Sequence, residues 1–424
     1  MTWWAEGFGD GDEVLAGMQA RTHALHGRRW LTQTIGNLPI LRTVAPVGAM
    51  GATLAGLPAV LVSPGPSLSR NGHLLRGAKR RAVIVASSHC LSSLRALDVV
   101  PDVVLQLDAS PCNHFDGYDT RNLTLVASAC THPSVWALPF RHRLVFSAGL
   151  AADGWLSAAT CMDSYYPSGG TVAGAQLSML LSWECGPIAL VGQDLALSDE
   201  GAYYTDLCHD YPTTIAKPDE GGVFTVKWVD GWQETERIVV LPAWDGAGQV
   251  RSNGSFSAYR DWFCHVAGKV GGDRLRNCTE GGAHIDGMSH EPFAAFLDGL
   301  PPLTADVGRL FQYASRKTDG LDAAVTRHVR NLSARLNALE EAARICERLA
   351  NAHMADALAV AEDNVLPLMG TLALPLSALG GPVFDAAQER LKTAEGGDRL
   401  GAAAPMYGLL RSCARLLGDA LETP

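Results

Sequence analysis

The chain has 424 residues, of which 47% are hydrophobic and 18% are charged, and its formal net charge is −10. A chain of this length is expected to hold more than one domain with ample core material. The negative charge argues against a general nucleic-acid binder. Its ten cysteines include no Cys-x-x-Cys pair, so neither a zinc ribbon nor a redox motif is indicated. They are interpreted as small hydrophobic residues of a reducing compartment.

The beginning of the chain and its apolar runs bear on where the protein works. The first seven residues, MTWWAEG, have neither a basic leader nor an apolar centre and are not expected to be a signal peptide. No uncharged apolar run reaches the roughly 18 residues that a membrane-spanning helix needs. We therefore expect a cytoplasmic protein with no membrane partner and no nucleic-acid partner.

Residues 1–55 are predicted to be a short helical lead-in. Val14, Met18, Trp30, Leu31 and Ile35 follow a loosely helical spacing. The segment is too small to bury a core of its own. We expect it to pack against the residues that follow.

Residues 56–300 alternate short apolar runs with helical stretches. The apolar runs predicted as strands are Ala59–Val62, Ala82–Ala86, Pro101–Asp108, Leu123–Ser128, Arg143–Ser147 and Pro187–Gly192. The helical stretches between them are Arg70–Arg81, Leu91–Leu97 and Val172–Trp183. This order predicts an α/β domain with a doubly wound, mostly parallel, Rossmann-like sheet.

Residues 199–260 change in character, because aromatic residues alternate there with Gly, Asp and Pro. The run from Val226 to Thr235 predicts a β-hairpin that turns at Asp230-Gly231. This insertion is either a lid or acceptor-binding wall, or a surface hairpin with its own small cluster.

Residues 301–424 are predicted to form an appended C-terminal helical bundle. Leu332, Leu336, Leu339, Ala343 and Cys346 recur at helical spacing with charged residues between them. Such a stripe indicates packing or partner binding rather than chemistry.

Polar groups follow the predicted strands at the edge where a parallel sheet binds its ligands. They are Gly65-Pro66-Ser67, Ser87-Ser88-His89, Asp108 and Gln193-Asp194. The first of these turns either binds a phosphate with its backbone N–H groups or simply connects a strand to a helix. Asp108 and Asp194 are either magnesium ligands or helix caps bonded to the backbone.

A fifth polar group, Ser168-Gly169-Gly170-Thr171, opens a predicted helix. Its two glycines allow close approach of a phosphate, which the helix dipole would favour. Together these groups predict a nucleotide-type site. The sequence has no Walker A motif and no GxGxxG, which argues against a P-loop NTPase and an ordinary NAD enzyme.

Residues 277–287 combine glycines with ionisable side chains near the end of the α/β region. Glu280 and His284 are candidate acid/base groups there. The alternative for each is a structural role.

Five stretches, in this order, resemble the motility-associated factor (Maf) flagellin glycosyltransferases: SPGPSL, PDVVLQLDAS, PSGGTVAGA, PIALVGQDLALSD and NCTEGGAHIDG. The match covers residues 57–300, and the C-terminal helices also resemble the last domain of that family. The chain departs from the pattern at Ser63-Pro64, where relatives tend to carry Gly-Ala. It departs again at Ser87-Ser88-His89, where an Asp-Thr type pair is common.

The same layout is similar to bacterial sialyltransferases that use a CMP-activated sugar. That likeness implies that CMP is held by Gly65, Pro66, Ser67, Ser168, Gly169, Gly170 and Thr171, with Gln193 at the rim of the same nucleotide-sugar site. It places Asp194 at the same rim, where it is a candidate catalytic group beside His284 and Glu280. The position of Asp108 at a strand end predicts that it belongs to this site as well. Tyr203 and Tyr204 either donate to the departing phosphate or pack.

The resemblance implies transfer of a nonulosonic acid, such as pseudaminic or legionaminic acid, from a CMP donor to Ser or Thr of flagellin. No cofactor is implied, although a divalent metal such as Mg²⁺ is an option. Two alternatives stay open at this point. One is a pterin diphosphokinase-like enzyme that uses ATP and Mg²⁺, and the other is a non-catalytic flagellin-binding factor.

Overall fold

A nine-stranded sheet forms the centre of the molecule. The structure is a computed structural model that describes residues 13–111, 114–147, 153–156, 166–208, 216–227, 233–365, 367–369, 372, 375–376, 379 and 397–422. In chain order the strands are β1 (Ala45–Pro46), β2 (Ala59–Val62), β3 (Val83–Ser87), β4 (Val103–Gln106), β5 (Thr124–Ser128), β6 (His142–Phe146), β7 (Ile188–Val191), β8 (Val223–Lys227), β9 (Gln233–Pro242), β10 (Gln249–Asn253), β11 (Leu275–Asn277) and β12 (Ser289–His290).

The central sheet has the order β1-β6-β5-β4-β3-β2-β7-β11-β12, and its described strand pairs are parallel. Ala59 of β2 aligns with Val83 of β3 on one side and with Ile188 of β7 on the other. The chain therefore winds outward in one direction from β2 and returns on the opposite side at β7. Such a reversal of strand order creates the crevice in which open α/β sheets bind ligands.

Helices cover both faces of the sheet. In chain order the helices are α1 (Glu13–Gly36), α2 (Leu38–Leu41), α3 (Leu68–Asn71), α4 (Leu75–Ala78), α5 (Leu91–Ala96), α6 (Pro133–Trp136), α7 (Val172–Ser182), α8 (Gly254–Val270), α9 (Phe293–Asp298), α10 (Val307–Ser315), α11 (Leu321–Asn351) and α12 (Gly397–Glu422). Helices α7, α8 and α10 pack on one face, and α3, α4 and α9 pack on the other. Burial on both faces explains why the strands are continuous apolar runs.

The predicted α/β class and its six strands are confirmed, each within a few residues of the expected bounds. The predicted helix over Arg70–Arg81 is wrong in form. It begins earlier, at Leu68, and is divided into α3, a 3₁₀ turn over Gly72–Leu74, and α4. Gly72 and Gly77 lie in this segment, and glycine disfavours a continuous helix.

The insertion forms a separate three-stranded antiparallel sheet in the order β10-β9-β8. The predicted antiparallel hairpin is present, because Lys227 of β8 pairs with Gln233 of β9. Its turn at residues 228–232 lies outside the described residues. The register differs by one residue from that of a two-residue turn at Asp230-Gly231, in which Lys227 would face Glu234. Leu197, Tyr203, Phe224 and Val226 form a small core under this sheet.

The C-terminal helices α11 and α12 pack against each other, and the predicted stripe along α11 is buried. Their core continues into the lead-in through Leu31 and Ile35 of α1, and into the sheet through Leu125 of β5. The lead-in is therefore held between the sheet and the C-terminal helices, as expected. No helix in the described part of the chain is long and apolar enough to cross a membrane.

Candidate functional site

The loops that follow β2 and β7 meet at the reversal of strand order. The first turn, residues 63–67, follows β2, and the loop of residues 192–194 follows β7. The Gly65 N–H donates to the Gly192 carbonyl at 2.9 Å, and the Ser63 hydroxyl donates to the Gln193 side-chain oxygen. The sequence correctly placed these two motifs at one edge of the sheet.

The first turn binds an anion that belongs to the protein itself, the carboxylate of Asp194. The Ser67 N–H donates to one oxygen of Asp194 at 3.1 Å, and the Ser67 hydroxyl donates to the other at 2.7 Å. Asp194 is 6% exposed and Ser67 is 1% exposed. Both Ser67 donors that were predicted to hold a phosphate are therefore bonded to Asp194.

Glycines on two loops make room for Asp194. A Cβ atom at Gly65 would lie 2.1 Å from an Asp194 carboxylate oxygen and 2.4 Å from the Gly192 carbonyl oxygen. A Cβ at Gly282, whose φ is +70°, would lie 2.2 Å from the Asp194 carbonyl oxygen. The close approach that these glycines permit is an approach to Asp194.

Burial disfavours the ionised form of Asp194 and raises the pKa of its carboxyl group to about 6. The hydrogen bonds from Ser67 and the charge of Arg70 oppose that shift without cancelling it. A buried carboxylate with a raised pKa in a ligand-binding crevice is typical of functional sites.

A third loop, residues 279–284, also contacts Asp194. The Ala283 N–H donates to the Asp194 carbonyl at 2.7 Å. The Glu280 side chain accepts hydrogen bonds from the Asn71 amide at 3.0 Å and from the Phe293 N–H, at the start of α9, at 2.9 Å. This geometry favours the structural alternative for Glu280, because one of its oxygens already holds two donors.

His284 follows Ala283 directly, and its ring has a defined orientation. Its Nδ1 lies 3.1 Å from the Trp244 carbonyl oxygen, which only accepts, so we assign the proton to Nδ1. Nε2 then carries the lone pair and lies 3.6 Å from an Asp286 oxygen. The His284 side chain is 29% exposed. These are the features of a general base that solvent or a substrate can reach.

His290 is a site residue that the sequence analysis missed. Its ring stacks on that of His284 with centroids 4.0 Å apart and planes 7° apart. Its Nε2 accepts from the Ile285 N–H at 3.3 Å, and burial lowers its pKa to about 4. His290 therefore stays neutral near pH 7 and supports the His284 ring. The stacking depends on the three-dimensional path of the loop, and the sequence carries no signal for it.

The helix α7 begins at the same edge of the sheet, because it leads the chain back to the start of the parallel strand β7. The Thr171 hydroxyl caps α7 by accepting from the Gly174 N–H at 2.8 Å. A Cβ at Gly169 would lie 2.4 Å from the Trp262 ring, so this glycine serves packing. Gly170 is exposed, with a φ of +84°.

Ser168 completes the start of α7, because its hydroxyl accepts from the Gly170 N–H at 3.3 Å. Gly170 is exposed here, whereas Ser67 of the first turn is buried. The segment of residues 168–171 is therefore the open glycine turn at this edge, and residues 63–67 are the closed one.

Asp108, after β4, does not join Asp194. It is exposed, and its carboxylate accepts from the Ser110 N–H at 2.8 Å, which favours the backbone-bonded alternative. Nearby, the rings of His89 and His114 lie 4.4 Å apart, and burial together with His114 lowers the pKa of His89 to about 4. Across the described residues, no group of three or more His, Cys, Asp or Glu side chains is placed to hold a metal ion.

The insertion contacts the loops of this edge directly. The Thr205 N–H donates to the Pro64 carbonyl of the first turn at 2.9 Å, and the Cys208 thiol lies 3.7 Å from the His89 carbonyl oxygen. The Tyr203 hydroxyl accepts from the Asn253 amide at 2.8 Å within the small core of the insertion, which favours its packing alternative. The insertion is thus a wall of the crevice.

Comparison with known proteins bears on the fold. The sequence profile of a family described as 6-hydroxymethylpterin diphosphokinase MptE-like matches residues 32–200. The structure is similar to that of a Maf glycosyltransferase from Magnetospirillum magneticum AMB-1, with a TM-score of 0.58 and 16% sequence identity. No curated protein matches the chain in sequence.

The similarity to the Maf glycosyltransferase covers 95% of this chain and 62% of that one. This chain therefore spans less than two thirds of the length of that protein. The resemblance to Maf proteins is confirmed at the level of the fold. The similarity to sialyltransferases stays a prediction.

Proposed function

We propose that the protein is a glycosyltransferase that moves a nonulosonic acid from a CMP-activated donor to Ser or Thr of flagellin. The observation that carries the proposal is the fold, which the chain shares over 95% of its length with a Maf glycosyltransferase. The sugar, the nucleotide and the acceptor come from the sequence resemblance. We place the reaction in the cytoplasm, before flagellin is exported for flagellar assembly and motility.

The start of α7 supports a binding site for the donor phosphate. Val172 and Ala173 are the first two residues of this helix, whose first N–H groups have no acceptor within the helix. The helix dipole favours an anion at this end. Gly170 leaves the approach open, because it is exposed and carries no side chain. The Ser67 donors of the first turn, by contrast, are already bonded to Asp194.

His284 is the group best placed to act as the base. In the proposed step its Nε2 removes the proton of the acceptor hydroxyl. The acceptor oxygen forms a bond to the anomeric carbon as the bond from that carbon to the phosphate oxygen breaks, and CMP leaves with the electron pair. Asp286, 3.6 Å from Nε2, then stabilises the imidazolium.

The insertion supports binding of a protein acceptor. It is anchored to the first turn through Thr205 and lies against His89 at the end of β3. A flagellin segment would bind between this wall and the start of α7. The open edge of the crevice then presents the acceptor hydroxyl to His284.

The deciding experiment combines purified protein, CMP-nonulosonic acid and unmodified flagellin, followed by intact mass spectrometry. We expect flagellin to gain the mass of one or more sugar residues, and we expect the gain to be lost with the His284→Gln variant. Flagellin that co-purifies with the protein but gains no mass would contradict the proposal and favour a flagellin-binding factor.

A second candidate is a pterin diphosphokinase-like enzyme, which the matching family profile over residues 32–200 favours. It would transfer diphosphate from ATP, bound with Mg²⁺, to a hydroxymethylpterin. Incubation with ATP, Mg²⁺ and 6-hydroxymethylpterin separates the two candidates. Formation of AMP and a pterin diphosphate, with no modification of flagellin, would favour this activity over glycosyl transfer.

A further inference from the structure

We propose that Asp194 is a positioning residue that holds two loops of the site at once. Its carboxylate fixes the first turn, and its backbone carbonyl fixes the loop that carries His284. The effect expected on sugar transfer rests on the proposed function, whereas the effect expected on loop motion does not.

The Asp194 carboxylate holds the first turn by accepting two hydrogen bonds from Ser67, at 3.1 and 2.7 Å. The first turn, which contains Ser67, is also bonded to the insertion, because the Thr205 N–H donates to the Pro64 carbonyl. Gly65 allows this arrangement because a side chain there would overlap the carboxylate. The charge of Asp194 is therefore linked to the wall of the crevice through three short contacts.

The Asp194 backbone carbonyl holds the loop of residues 279–284. The Ala283 N–H donates to the Asp194 carbonyl at 2.7 Å, and Gly282 packs on the Asp194 backbone. The next residue, His284, is held by its own N–H at the Pro242 carbonyl, 2.9 Å away, and by Nδ1 at the Trp244 carbonyl. Asp194 thus fixes the loop one residue before the proposed base.

Only the ionised carboxylate accepts from both Ser67 donors with two free oxygens, because protonation converts one oxygen into a donor. Arg70 on α3 is the charged group that acts on Asp194 from the described neighbouring elements. Its guanidinium also lies 3.5 Å from the Glu280 carbonyl oxygen, at the start of the loop that carries His284. Ser67, on the first turn, and Gly281 and Gly282, on the third loop, carry no charge.

One substitution of Asp194 should affect the two loops differently, because one loop is bonded to its carboxylate and the other to its backbone carbonyl. Asp194→Asn removes the charge and leaves the backbone carbonyl in place. It should loosen the first turn and leave the loop of residues 279–284 close to its native state. Because the base keeps its place while the acceptor-binding wall moves, KM for flagellin should rise at least tenfold, with smaller changes in kcat and in KM for the donor.

The test is amide hydrogen exchange of the whole chain, measured as protection factors at pH 8, where Asp194 is ionised. In Asp194→Asn, protection of residues 64–70 should be at least tenfold lower than in the native protein, while protection of residues 279–284 should stay close to the native value. The matched control is Asp119→Asn, which removes an exposed charge that caps a turn before β5, at the opposite edge of the sheet.

Ser67→Ala provides a second variant if Asp194→Asn does not fold. It removes the hydroxyl donor and keeps the N–H, so protection of residues 64–70 should fall by a smaller factor. Unchanged protection of residues 64–70 in both variants would overturn the positioning role. If protection falls as expected but the native protein transfers no sugar, the positioning role stands and the proposed function fails.

Discussion

Two glycine turns at the same edge of the sheet have opposite structures. In the first turn, residues 63–67, the backbone and hydroxyl donors of Ser67 are bonded to Asp194 and shielded from solvent. At the start of α7, residues 168–171, Gly170 is exposed and Ser168 and Thr171 are partly exposed. From sequence alone the two turns had the same predicted role.

A glycine in a turn therefore indicates that another group approaches closely, but it does not identify that group. At Gly65 that group is the carboxylate of Asp194, and at Gly169 it is the ring of Trp262. Gly170 meets solvent instead. The site is therefore divided into two parts. In the closed half, the first turn and Asp194 hold loops in place, and in the open half, the start of α7 and the His284 side chain are left for the ligand.

The largest expected effect concerns the open half. Replacing His284 with Gln removes the proposed base and should lower kcat for sugar transfer by roughly 10²–10⁴-fold. His290→Asn, which removes the supporting ring and leaves the base, should lower kcat by a smaller factor. A rate of the His284→Gln variant within threefold of the native rate would exclude His284 as the base.

The next effect concerns the closed half. Gly65→Ala places a Cβ atom 2.4 Å from the Gly192 carbonyl oxygen and 2.1 Å from the Asp194 carboxylate. The backbone must shift to accommodate it, so we expect a loss of about 1–3 kcal/mol in the free energy of unfolding. Urea denaturation measures this. Gly77→Ala is the control, since no atom lies within 4 Å of a Cβ there. Equal stability of both variants would show that the first turn is not closed.

The pH dependence of stability tests the charge of Asp194. Its pKa of about 6 lies above the ordinary value of 3.8, so the folded state holds a proton that the unfolded state has already released in this range. Stability should therefore fall as pH rises from about 4 to 6, by at most about 1.4 kcal/mol per pH unit from this group.

His290 has the opposite sign in the same range, because its lowered pKa of about 4 favours the neutral folded state as pH rises. The net slope of the native protein therefore does not isolate Asp194. The difference between native protein and Asp194→Asn does, and denaturant titrations at several pH values measure it. A difference that does not change between pH 4 and 7 would contradict the raised pKa.

The smallest expected effect returns to the open half. Gly170→Ala puts a side chain at a φ of +84° and should cost about 1–2 kcal/mol of stability. Its larger consequence should be weaker binding of the CMP donor, measured by calorimetry. Ser67→Ala should change donor affinity less, since Ser67 is bonded to Asp194. The reverse order would show that the two turns have exchanged roles.

The sequence predicted most of the sheet because its strands are buried on both faces and appear as continuous apolar runs. It missed β1, β11 and β12, which have two or three residues and include Pro46, Arg276 and His290. Such short edge strands carry too few residues for a periodic signal. Their positions depend on pairing with β6 and β7, which tertiary structure supplies.

The sequence also predicted correctly that these motifs lie at one edge of the sheet, because the carboxyl ends of parallel strands share an edge. It could not assign partners within the site. The bond between Ser67 and Asp194 joins residues 127 positions apart, and the stacking of His284 on His290 depends on a loop conformation. Side-chain pairing at the site follows from packing, which a one-dimensional pattern does not contain.

The most direct test of this division is the structure of the protein with CMP bound. We expect the phosphate within hydrogen-bonding distance of the N–H groups of Val172 and Ala173, with Ser67 still bonded to Asp194. A phosphate bonded to the Ser67 N–H, with the Asp194 carboxylate displaced from the first turn, would contradict the account.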